Sequence, residues 1–125
     1  MRDIIEEARN RKPQLSALRR ELHRRPELAY HEYETASRIE RELDAMGIRH
    51  RRLGETGVLG ILEGREPGGI VALRADIDAL PIQEETEEPY ASGTDGVMHA
   101  CGHDAHTTCL LGGASILSAR REQFA

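Results

Sequence analysis

Ile70-Val71-Ala72-Leu73-Arg74-Ala75-Asp76-Ile77-Asp78-Ala79-Leu80-Pro81 is the stretch that decides the fold class. Ile70 to Leu73 is continuously apolar, the pattern of a strand buried on both faces rather than one that alternates between core and water. Two carboxylates follow at its C-terminal end. In α/β sheets, ligand sites collect beyond strand C-termini. An isolated buried carboxylate is costly unless a cation or hydrogen bonds compensate it. Asp76 and Asp78 are therefore candidate site residues. The alternative is that both pair with Arg74 and cap a loop.

Helical periods flank this strand on either side. Residues 3–25 read as a helix, with an interruption allowed at Pro13. Leu15, Leu18 and Leu22 share one face, while Arg19, Arg20, Arg24 and Arg25 read as a solvated one. His23, just before Pro26, reads as a polar group favoured by the helix dipole at a C-terminus. A second helix is predicted over residues 31–46, with Ala36, Ile39, Leu43 and Met46 as its buried stripe. Gly47 ends it, and His31 and Glu32 read as capping or surface groups at its start.

The period then changes to that of strands. Residues 48–53 form a short, highly charged strand suited to a sheet edge. Gly54-Glu55-Thr56-Gly57 is a turn, residues 58–62 a second strand, and Pro67-Gly68-Gly69 a further turn. Residues 82–97 read as an acidic, solvated loop. From about Asp104 the pattern is helical again, and Gly112-Gly113-Ala114 permits close packing of that helix on a sheet.

The richest chemistry sits between loop and helix, in Val97-Met98-His99-Ala100-Cys101-Gly102-His103-Asp104-Ala105-His106. Three of the chain's six histidines and one of its two cysteines fall in these ten residues. Cys101 and His103, two apart, can aim a thiolate and an imidazole at one point, because Gly102 lets the backbone turn between them. Borderline-soft divalent ions, zinc above all, take such a pair. Asp104 and His106 add a carboxylate and a third imidazole. The bland alternative is a histidine-rich surface loop. Two ligands are also too few for zinc, which takes about four.

Composition narrows the classes further. The chain has 125 residues, the size of one domain, and carries 17 Lys+Arg against 22 Asp+Glu for a net charge of −5. That balance argues against a nucleic-acid footprint. Three Tyr, one Phe and no Trp leave no stacking platform for single strands. No apolar run reaches signal-peptide or membrane-span length, so a cytoplasmic protein without a membrane partner is expected. Cys101 and Cys109 do not make a disulfide framework.

Taken in order, Leu22-His23-Arg24-Arg25-Pro26-Glu27-Leu28, Leu73 to Pro81 and Met98 to His106 resemble the amino-terminal part of the metal-dependent amidohydrolase/carboxypeptidase family. This family includes hippurate hydrolases, N-acyl-amino-acid amidohydrolases, auxin-conjugate hydrolases and N-acetyl-diaminopimelate deacetylases. The resemblance runs from about Leu15 to the last helix. It implies an α/β catalytic domain with a mixed sheet between helix layers, of which residues 1–125 are the amino-terminal part. The lid or dimerisation domain is absent. It also implies two divalent cations (manganese, zinc, cobalt or nickel), a small N-acyl amino acid substrate and a homo-oligomer.

By motif, Cys101 and His103 correspond to the family's first two metal ligands. Asp78 corresponds to a catalytic-site aspartate that related di-metal peptidases place beside a metal-binding histidine. Asp76 stands at that histidine's position, and the cysteine takes over the ligand. Asp76, Asp104 and His106 are candidates for a supporting shell, with Asp104 or Asp78 available to hold the second ring nitrogen of His103. The family's glutamate base and two further histidine ligands fall beyond Ala125. The resemblance thus implies a fragment that is catalytically incomplete alone. The alternative reading is a non-catalytic, truncated metal-binding or self-associating protein.

Overall fold

The computed structural model describes residues 2–124. Its elements are α1 (Arg2–Arg24), α2 (Tyr33–Ala45), β1 (Arg49–Leu53), β2 (Gly57–Ile61) and α3 (His103–Ala119), followed by a single 3₁₀ turn, Arg121–Gln123. Helix α1 runs through Pro13 without interruption. Its apolar face carries Leu18 and Leu22 into a core shared with Ile39 and Leu43 of α2, Ile48, and Leu111 of α3. Val58, Leu62 and Ile77 close over this core from the strand side. No described helix is long and apolar enough to cross a membrane.

The N-terminus of α2 is capped from a distance. Its first turn leaves backbone N–H groups without partners inside the helix. The Glu27 carboxylate accepts from the Glu34 and Thr35 amides and from the Thr35 hydroxyl. Glu32, at the N-cap position, makes no side-chain cap bond. Gly47, with φ of 65°, turns the chain out of α2 into β1. Strands β1 and β2 pair antiparallel, with Arg51 opposite Leu59, and α2 packs on this hairpin.

At the α1–α3 interface Gly112 lies close to Leu15. A Cβ there would lie 2.9 Å from a Leu15 methyl, so an alanine would require the Leu15 side chain to shift. Gly112 thus serves helix–helix packing, while Gly113 has open space at its Cβ position.

The stretch that pointed to an α/β fold behaves in two ways. Residues 79 and 80 do take part in sheet-like pairing, parallel between Leu28 and Ala79 and antiparallel between Leu80 and Met98. Residues 70–73, expected to be buried on both faces, are instead exposed, Ile70 at 98%. The reason is the absence of a partner. Among the described residues no strand hydrogen-bonds to them, and an apolar strand is buried only when neighbours on both edges bring their covering helices. Both senses of pairing therefore occur around residues 79–98, at the point where the acidic strand end meets the turn into α3.

Candidate metal centre

The turn between Met98 and α3 is shaped by Gly102. It precedes α3 with φ of 86°, a left-handed conformation natural to glycine. This conformation sets His103 at the first position of the helix and leaves Cys101 exposed just before it. The imidazole of His103 is fixed by Asp78. Its Nδ1 lies 2.9 Å from the Asp78 carboxylate and 3.1 Å from the Asp78 carbonyl oxygen. Both are acceptors, so Nδ1 carries a proton and donates. In the neutral ring Nε2 is then the unprotonated nitrogen, with its lone pair available. A neighbouring carboxylate commonly holds a ligating imidazole in just this tautomer.

The other candidates are placed less centrally. Asp76 forms an exposed ion pair with Arg74 at 2.7 Å. That is the loop-pairing alternative, realised for Asp76 but not for Asp78. His106 is exposed, its ring 5.8 Å from that of His103. Asp104 faces away from His103 into the interior, where it is 1% exposed. There its Oδ2 accepts from Arg19 Nε at 2.7 Å and from His23 Nδ1 at 2.8 Å.

Two features of this interior were not anticipated. His23 lies in the last turn of α1 as expected, but it is also a buried bridge. Its Nδ1 faces Asp104 and its Nε2 faces Glu84 at 2.9 Å. A carboxylate thus faces each ring nitrogen, and the Arg19 guanidinium lies 3.4 Å from Nδ1. Glu84, in turn, is not part of a solvated acidic run. It also accepts from the Thr86 hydroxyl and the Ser92 amide. Burial opposes its ionisation. The bonds from Thr86, His23 and Ser92, together with the charge on His23, outweigh burial and hold its pKa at about 2.

His99 completes the cluster. It is buried, its ring 6.3 Å from that of His23, and neither of its nitrogens has a hydrogen-bond partner among the described residues. Burial pushes its pKa below the usual histidine value. The carboxylates of Asp104 and Asp78 oppose that shift, while His23 and His103 reinforce it.

The donors present fit a divalent ion in part. An exposed thiol and a tautomer-fixed imidazole lie either side of a left-handed glycine. Among the described residues no group of three or more His, Cys, Asp or Glu side chains converges as a complete ligand set.

Residues 72–125, which include Asp76, Asp78 and the turn from Cys101 to His103, match Peptidase family M20/M25/M40. The chain is similar to the M20 family over these residues. It is 49% identical over 109 residues to the N-acetylcysteine deacetylase of Bacillus subtilis, covering 86% of this chain and 29% of that protein. It is 48% identical over 114 residues to the N-acyl-L-amino acid amidohydrolase of Geobacillus stearothermophilus, covering 90% of this chain and 31% of that one. A B. subtilis structure described as a dinuclear metal-binding peptidase of the M20 family superposes with a TM-score of 0.85 at 49% identity, over 87% of this chain and 31% of that one. The chain thus spans less than a third of the length of each, and its architecture is similar to that of part of an M20 α/β catalytic domain.

Proposed function

We propose that this chain is the amino-terminal part of a catalytic domain that hydrolyses the amide bond of N-acyl amino acids, with a site for two divalent cations to which it contributes Cys101 and His103. The single observation that carries the reading is the bond from His103 Nδ1 to Asp78, which leaves Nε2 of the neutral ring free to take a metal, two residues along the chain from the exposed Cys101 thiol. When bound, the cations polarise the amide carbonyl and acidify water. Asp78 fixes the tautomer and direction of His103. Cys101 supplies the soft, anionic donor, and His106 and Asp76 lie nearby without holding either ligand. The relatives named for acetylcysteine and N-acyl-L-amino acids support small acylated amino acids as the substrate class.

Titration of the purified chain with cobalt(II) tests the ligand assignment. A thiolate-to-cobalt absorption band is expected, and Cys101→Ser removes it. A band that survives this substitution, or cobalt binding without any thiolate band, overturns it. Two donors are short of the usual ligand number, and the glutamate base implied by the family is not among these residues. No turnover of N-acetylcysteine by the 125-residue chain is therefore expected.

One observation favours a second reading, a non-catalytic self-associating protein. Ile70 and Val71 lie almost fully exposed in a segment whose backbone has no strand partner among the described residues. Unpaired apolar strands recruit other strands. Sedimentation of the chain at graded concentrations separates the two readings.

A further inference from the structure

A groove of about 580 Å³ lies between α1 and α3, away from Cys101 and His103, and its lining is chemically one-sided. Helix α1 sends Arg9, Lys12, Arg19 and Arg20 to it. No carboxylate lines it, although the chain holds more acidic than basic residues. Arg19 is neutralised by Asp104. Arg9, Lys12 and Arg20 have no ion-pair partner among the described residues. The floor is apolar. Ile5 and Ala8 of α1 and Ala105 of α3 contribute to it, and Ile5 is 49% exposed. Tyr90 is held there by the guanidinium groups of Arg19 and Arg20, at 5.3 and 4.8 Å from its ring centroid.

We propose that this groove binds an amphipathic carboxylate, an apolar chain with one anionic head. The apolar floor accounts for the chain and the uncompensated cations for the head. Like charges gathered on one face raise the local concentration of the opposite charge. A hydrated cationic helix face alone would leave Ile5 and Ala8 in water beside those charges, with nothing gained from their apolar surface.

Cys109, exposed on α3 and lining the groove, reports occupancy directly. In the Cys101→Ser variant it is the sole thiol, and its alkylation rate by N-ethylmaleimide is the readout. Laurate, kept below its micelle concentration, is the probe. At about ten times its Kd the open fraction, and with it the rate, falls about tenfold. Dodecyltrimethylammonium should not protect, and the Arg9→Glu/Lys12→Glu variant should lose protection by laurate while keeping its helical circular dichroism. Absence of saturable protection overturns the proposal, and so does equal protection by the cationic amphiphile. Slow alkylation that speeds up on dilution, without any added ligand, also overturns it, since a second copy would then be the occupant. No metal enters the experiment, so its outcome is independent of the hydrolase reading.

Discussion

Two of the chain's histidine–aspartate pairs, those of His23 and His103, differ in one respect, and that difference separates structure from chemistry. In the interior, His23 meets Asp104 at 2.8 Å and a second carboxylate, Glu84, at 2.9 Å. Both ring nitrogens are used. At the head of α3, His103 meets Asp78 at 2.9 Å through one nitrogen, and its other nitrogen is left with a lone pair. The first imidazole has no nitrogen to spare and joins α1, α3 and the loop at residue 84, with Asp104 Oδ1 buried beside it and unpaired among the described residues. The second imidazole has a nitrogen to spare and stands two residues from an exposed thiol. Residue type alone does not distinguish the two imidazoles. The count of unfilled ring nitrogens does.

Removing Asp104 should break the His23 pair with the largest effect. Asp104→Ala removes the carboxylate that lies between His23 and the Arg19 guanidinium. Breaking a buried ion pair by deleting one partner costs about 3–5 kcal/mol, and the lower end of that range is expected because Glu84 still faces His23 and the Arg19 side chain is 34% exposed. Urea denaturation should show a loss of that size with an unchanged m-value. A loss under ~1 kcal/mol, within the range of exposed pairs, would mean the site is open to water and the His23 pair is not a structural bridge.

Asp78→Ala breaks the His103 pair, and its effect should appear in metal binding rather than stability. Removing the partner that orients a ligating imidazole typically costs about 10–100-fold in metal affinity. Cobalt affinity of the chain should fall by that factor. The urea midpoint should move little, since the Asp78 side chain is 27% exposed. The reverse outcome, an intact affinity and a large stability loss, would make the two pairs equivalent and remove the distinction between them.

This contrast also explains what could be read from the sequence. Cys101, His103 and Asp78 could be proposed from the sequence because their motifs are local, a thiol and an imidazole around one glycine and a pair of carboxylates after an apolar run, and the structure brings two of them, Asp78 and His103, together. The three helices and the hairpin were legible from period, to within two or three residues at most boundaries. His23 and Glu84 were not. Their roles arise from a meeting of positions 61 residues apart, and each was disguised by its neighbours, arginines around His23 and glutamates around Glu84. The motif containing His23 signalled only that the segment mattered. Residues 70–73 failed differently. Their apolar run describes a strand with neighbours, and periodicity cannot say whether those neighbours are among the residues in hand.

The smallest expected effect tests whether the His23 pair needs both carboxylates. Glu84 has a folded pKa of about 2, below the ordinary 4.5. A depressed carboxylate pKa stabilises the fold above the unfolded value, and that contribution is lost as the pH falls from about 4.5 towards 2. The wild-type chain should therefore lose stability across this window with a steeper slope than Glu84→Gln, which has no proton to take up there. The comparison is between slopes, because the glutamine also faces the Nε2–H of His23 and lowers stability at every pH. Parallel slopes would mean that Glu84 titrates normally. Asp104 alone would then hold His23, and the imidazole would have a nitrogen to spare, as His103 has.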